Sequence, residues 1–222
     1  MRRFLRREPS LEEMKGKFIS FEGTEGCGKS TQSKMFYRYL KNKGLPMVYL
    51  REPGGVRVSE KIRKVLLSPR NKISPICEML LYMAARAEVV NTVIKPALLK
   101  GKIVVCDRFL DSTVAYQGFG LGINLTAIKS VARIATFGIN PDLTILLDRP
   151  VKRGLKYRQG QMDRIERRTF AYHQRVRNGY LKLARREPAR IKTVKVEEDK
   201  FKTQSKIRAL ADIFLKAGRI LH

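Results

Sequence analysis

Residues Gly23 to Ser30 read GTEGCGKS, filling the pattern G-x-x-x-x-G-K-[ST] without a gap. No other feature restricts the fold as much, because this loop works only between a strand and a helix. Lys17-Phe18-Ile19-Ser20-Phe21-Glu22, just ahead of it, is an alternating, aromatic-rich strand candidate. Behind it, Met35, Phe36, Tyr39 and Leu40 fall at helical spacing across residues 30–43, with Gly44 as a stop. The glycines let successive N–H groups curl toward a phosphate, the helix N-terminus adds partial positive charge, and Lys29 adds a full one. Ser30 is placed to offer a hydroxyl to Mg²⁺. The motif implies a bound nucleoside triphosphate.

Apolar, β-branched runs alternate with helical stretches along the rest of the chain. Strands are expected at 17–22, 47–51, 102–107, 143–148 and 191–196, and helices near 30–43, 59–67, 76–100, 125–136, 170–186 and 203–217. Strands separated by helices imply right-handed crossovers, hence an α/β fold with a doubly wound, five-stranded parallel sheet flanked by helices. Ligands of such sheets bind beyond the carboxyl ends of the strands. Charged residues gather there: Arg51 and Glu52, Asp107 and Arg108, Asp148 and Arg149.

With 222 residues and 43% hydrophobic content, one domain at 14–222 is expected. Residues 1–13, with four arginines, three glutamates and no apolar h-region, read as a loose extension rather than a targeting signal, and Met14 as an alternative start. Apolar stretches are strand-sized, so no membrane span is expected. Cys27, Cys77 and Cys106 match neither a disulfide framework nor a zinc site, which suits a cytoplasmic location. Cys27 lies near a helix N-terminus, where a thiol's pKa tends to fall. An oxidation-sensitive thiol is one reading; that only its backbone N–H matters is the other. The 47 Lys and Arg against 20 Asp and Glu give a formal charge of +27. Nonspecific nucleic-acid adhesion is expected of such a chain. The cations are spread along its whole length, however, so a nucleic-acid function is not required.

Further clusters carry chemistry. Arg51-Glu52-Pro53-Gly54-Gly55 leaves a strand and turns at once, presenting an arginine fork suited to a phosphate. Asp107 ends a fully apolar strand and reads as an Mg²⁺ ligand, or as a helix cap. Thr113 and Gln117 lie four apart, as do Tyr82 and Arg86; on helices each pair shares a face. The first pair could read a base edge or belong to a capped polar helix. The second could stack on a base, or be core and surface. Residues 151–164, rich in Lys, Arg and Gly, read as a short mobile lid, or as a solvated helix.

Together these runs resemble the thymidylate kinase family, within the nucleoside monophosphate kinases of the P-loop NTPase fold. The matching pieces are FEGTEGCGKSTQ, REPGG, LLYMAAR, VIKPAL, DRFLDSTVAYQG, PDLTILLD, DRIE and HQRVRNGYLKLA, in the family's order. The resemblance implies transfer of the ATP γ-phosphoryl to dTMP with Mg²⁺, by a homodimer. It implies ATP contacts from Gly23, Thr24, Glu25, Gly26, Cys27, Gly28, Lys29, Ser30 and Thr31, with metal at Ser30 and Asp107. Arg51 and Arg108 would grip the dTMP phosphate, Glu25 would meet the 3′-hydroxyl, Tyr82 would stack on thymine, and Arg86, Thr113 and Gln117 would read its edge. Lys29, Arg108 and a lid cation would be catalytic. Three departures stand out: Tyr82 where phenylalanine is usual, Phe109 where tyrosine often follows the arginine, and a lid too short for the usual arginine set. Arg158 is favoured as the lid cation over Arg153 and Lys156. A kinase for another deoxynucleoside monophosphate, and a non-catalytic nucleic-acid-associated protein, are the alternatives.

Overall fold

A computed structural model describes residues 13–157 and 161–217. In these residues the chain runs β1(Lys17–Glu22), α1(Lys29–Asn42), β2(Met47–Arg51), α2(Arg57–Leu67), α3(Pro75–Val89), α4(Lys95–Leu99) and β3(Ile103–Asp107). It continues through α5(Leu110–Thr113), α6(Leu125–Thr136), β4(Leu143–Asp148), α7(Val151–Lys156), α8(Phe170–Arg186), β5(Ile191–Lys195) and α9(Lys200–Ala217). The strands form one parallel sheet in the order β2-β3-β1-β4-β5. β2 and β3 lie on one side of β1, and β4 and β5 on the other. The connections leaving β1 and β3 therefore run in opposite directions, and the carboxyl ends of these two strands flank the switch point where a ligand crevice opens.

The two-residue period of the strands sorts the core into layers. Ile19, Phe21, Ile103 and Val105 pack with Phe36 and Leu40 of α1 and with Ile207 and Ala211 of α9. Their alternates Phe18, Val104 and Cys106 face Val89, Val90, Ile94 and Leu98 on the other side. A third cluster joins α3, α6 and α8 through Met83, Ile128, Tyr172 and Val176. β1, β3 and β4 are buried along nearly their whole length and read as near-continuous apolar runs, whereas the edge strands β2 and β5 are partly exposed and carry polar residues.

The helix expected across 76–100 is interrupted: a π-helical segment, Val90–Ile94, separates α3 from α4. Pro96 supplies the reason, since it has no N–H and its ring clashes with the carbonyl four residues back, at Thr92. A second π-helical segment, Val114–Gly120, continues α5 and was not foreseen as a distinct element. Thr113 and Gln117 still share a face there.

Candidate active site

The phosphate loop leaves β1 and enters α1 with Gly23, Gly26 and Gly28 all at positive φ, where a side chain would be strained. Gly26 also meets Gly154 of α7 backbone to backbone; a Cβ on Gly26 would collide with the Gly154 carbonyl. Lys29 is buried at the head of α1, while Ser30 and Thr31 are exposed on its first turn. Cys27 is 1% exposed, and burial pushes its thiol up although Lys29 and Arg108 pull it down. The reading of Cys27 as an activated thiol is thereby corrected: desolvation outweighs the nearby cations.

Asp107 and Arg108 leave β3 beside this loop. The Ser30 hydroxyl donates to Asp107 Oδ2 at 2.5 Å. Asp107 is no helix cap, since α5 is entered through Phe109. Arg108 has φ 75, an uncommon conformation for a residue with a Cβ. That turn throws its side chain back over the loop. Nη1 donates to Gly23 O, Ser112 Oγ and Tyr180 Oη at 3.0, 3.1 and 3.3 Å. Nη2 donates to Glu25 Oε1 and Tyr116 Oη at 2.8 and 3.0 Å. The Tyr116 hydroxyl closes the triangle by donating to Glu25 Oε1 at 2.7 Å.

Two carboxylates flank Arg108 and diverge in acidity. Glu25 is brought down to about 2: burial opposes ionisation, but Arg108, Lys29 and the Tyr116 hydroxyl overcome it. Glu22, fully buried, is pushed up to about 7 by desolvation and by Asp111, against Arg108, Ser112 and Tyr180. It accepts from Phe109 N–H, Ser112 Oγ and Tyr180 Oη at 2.7, 2.6 and 2.7 Å. Neither Glu22 nor Tyr116 was singled out in the sequence. Glu22 adjoins the glycine loop and looked like the last residue of a strand.

One cavity of about 180 Å³ joins these parts. Glu25, Lys29, Ser30, Asp107 and Arg108 line one end, and Tyr82, Thr113 and Gln117 line it with Leu67 and Ile165. Arg51, Arg63 and Pro53 also border it. Arg51 is 47% exposed and, among the described residues, is tied to Glu60 Oε1 at 3.1 Å, which also accepts from Gly55 N–H at 3.0 Å. The Tyr82 hydroxyl has no hydrogen-bond partner among the described residues.

Arg86 does not stand on the cavity wall. At 2% exposure its Nε donates to Glu52 Oε2 at 2.7 Å, Nη1 to Thr113 Oγ1 at 2.9 Å and Nη2 to Phe109 O at 3.0 Å. It braces Thr113 from behind. Arg63, Asp163 and Glu166 border the cavity without having been picked out. Asp163 and Glu166 sat in the DRIE run, whose order was recognised before any role could be attached. Arg158 lies outside the described residues, as do residues 1–12 of the expected extension. Arg153 and Lys156, on α7, are exposed and do not line the cavity.

A parallel sheet with a phosphate loop at its switch point, and an arginine-lined cavity running on from it, defines a P-loop enzyme acting on nucleotides. The family model for thymidylate kinase matches residues 21–207. The thymidylate kinase of Caldanaerobacter subterraneus is 42% identical over 208 residues, covering 93% of this chain and all of the relative. That of Dehalococcoides mccartyi is 52% identical over 176 residues, covering 78% of this chain and 84% of the relative. The crystal structure of thymidylate kinase from Ehrlichia chaffeensis superposes with a TM-score of 0.74 at 31% identity, over 89% of this chain and 98% of that one. The chain belongs to the thymidylate kinase family.

Proposed function

We propose that the protein transfers the γ-phosphoryl of ATP to the 5′-phosphate of dTMP, giving dTDP and ADP. One observation carries this reading: a single cavity runs from Lys29, Ser30 and Asp107 to Tyr82, Thr113 and Gln117, with Arg51 and Arg108 along it. Donor phosphates belong at the first end and a pyrimidine at the second, so the acceptor phosphate falls between them. Phosphoryl transfer passes through a loose transition state with spread negative charge, so positioned cations do most of the work. The acceptor phosphate is already an anion and needs no general base.

Lys29 and the loop N–H groups hold the β- and γ-phosphates. The oxygens of Ser30 and Asp107, side by side at the head of α1, fit Mg²⁺, a hard cation bound by few protein oxygens together with phosphates and water. Mg²⁺ bound there would neutralise charge on the donor phosphates. Arg51 and Arg108 grip the acceptor phosphate. Glu25, held ionised by Arg108, accepts from the deoxyribose 3′-hydroxyl, and Tyr82 stacks on the base. Residues 151–164 act as the lid, with Arg158 as its phosphate cation.

A homodimer is proposed through α2, α3 and α6. Val58 and Val65, Ile76 and Leu80, and Ile134 are large apolar side chains left 45–78% exposed on these neighbouring helices. A cytoplasmic location accords with three free cysteines, and nonspecific nucleic-acid adhesion with the +27 charge.

The test is ADP release with Mg²⁺–ATP and dTMP, dUMP, dCMP, dGMP or AMP, at modest and raised salt. Strong preference for dTMP is expected at both. Preferred turnover of another acceptor would overturn the base assignment. No turnover by protein that binds ATP would favour a non-catalytic role.

A further inference from the structure

Glu78 has no exposed surface, yet three donors converge on its carboxylate. Arg164 Nη1 and Arg168 Nη2 reach Oε2 at 2.6 and 2.5 Å, and Gln117 Nε2 reaches Oε1 at 2.8 Å. A carboxylate held by two guanidinium groups has only acceptor oxygens to offer. Gln117 is therefore obliged to present its NH₂ to Glu78, and the orientation of its amide follows from chemistry. Its Oε1 makes no hydrogen bond to any described residue, and Gln117 lines the cavity. The free acceptor is left for a ligand.

We propose that Glu78 is a positioning residue for base selection: it locks Gln117 so that an acceptor oxygen faces ring position 3 of the bound base. This rests on reading the cavity as a pyrimidine monophosphate site. Thymine carries N3–H and donates to that oxygen. Cytosine carries a lone pair at N3, which would oppose it. Thr113 completes the edge, because Arg86 Nη1 donates to its Oγ1 and leaves the hydroxyl hydrogen free for a pyrimidine carbonyl. Glu78 lies four residues before Tyr82 on α3, so the residue that sets the polarity of the edge shares a helix face with the ring proposed to stack on the base. Arg164 closes the segment read as the lid, and Arg168 follows it.

The test uses 5-methyl-dCMP, which keeps the methyl group of dTMP but carries a lone pair at N3 and an amino group at C4, beside dTMP. Binding is read by calorimetry and kcat/KM by ADP release. Wild type should bind 5-methyl-dCMP at least about 30-fold more weakly than dTMP, because the Gln117 oxygen would face a lone pair. In Glu78→Gln the amide of Gln117 can turn over. The dTMP:5-methyl-dCMP ratio should fall at least about tenfold there, while KM for ATP stays unchanged. Glu78→Asp keeps the charge its arginines require but withdraws the oxygen from Gln117. It should show the same loss of discrimination, and it serves if Glu78→Gln does not fold. Equal binding of dTMP and 5-methyl-dCMP by wild type would overturn the proposal. So would variants that lose stability and kcat but keep the wild-type ratio. Absence of dTMP turnover by wild type would instead overturn the functional reading.

Discussion

On the acceptor side of the site, the Arg108 guanidinium makes five hydrogen bonds to four different segments, and Glu22 accepts three more beneath it. On the side read as the lid, α7 is rooted by buried Val151 and Gly154, and its outer end makes largely exposed contacts. Tyr157 Oη donates to Glu198 Oε2 at 2.6 Å, Arg153 lies 3.8 Å from Glu198, and the guanidinium of Arg149, buried just ahead of α7, stands 4.4 Å from the Tyr157 ring centroid. Tyr157, Glu198 and Arg153 are each more than half exposed. Solvated contacts of this kind contribute little and exchange readily with water. The acceptor wall is thus fixed before ligand arrives, and α7 can shift at small cost. In the proposed function, orientation of the acceptor belongs to the first and exclusion of water from the donor phosphates to the second.

The comparison breaks most severely at Arg108. Arg108→Met would leave two buried carboxylates uncompensated, so the unfolding free energy should drop by ~3–5 kcal/mol in urea melts. The loss in kcat/KM for dTMP should be about 10³-fold. A substitution at Arg108 therefore does not separate function from fold.

Glu22 gives the next effect. Its folded pKa is raised, so its contribution is fully present below about pH 4.5 and is lost as pH rises through about 7. The stability of wild type minus that of Glu22→Gln should fall by up to ~3 kcal/mol across that window. A flat difference in urea melts from pH 4.5 to 8 would contradict the assignment.

Arg51 sharpens the contrast, being a cation of the same wall that the fold scarcely uses. Arg51→Ala should lower kcat/KM for dTMP by about 10²-fold and change unfolding by less than about 0.5 kcal/mol. On the lid side, a Cβ on Gly154 would lie 2.5 Å from Glu25 O. Gly154→Ala should push α7 off the loop and raise KM for ATP roughly fivefold, with calorimetric dTMP affinity unchanged. Tyr157→Phe removes the contact to Glu198 and should change kcat by less than about twofold.

The same division explains what could be read from the chain. Strands buried on both faces and a contiguous glycine loop announce themselves, and Lys29, Ser30, Asp107 and Arg108 came from such runs, whereas Tyr82, Thr113 and Gln117 came from helical spacing and the family's runs. Arg86 was assigned to the base edge because spacing reveals a shared helix face but not which side of Thr113 a guanidinium takes. Glu22, Tyr116 and Glu78 were passed over because each acquires its role only from partners distant in the chain: Tyr180 for Glu22, Glu25 for Tyr116, Arg164 for Glu78. The break between α3 and α4 was legible in Pro96 and was missed by reading periodicity alone.

Amide hydrogen exchange, with and without an ATP analogue plus dTMP, tests the contrast between the two walls most directly. The account predicts that residues 107–117 exchange slowly in both states, whereas residues 151–157 exchange rapidly when free and become protected when both nucleotides are bound. Rapid exchange of 107–117 in the free protein, or full protection of 151–157 before ligand arrives, would contradict it.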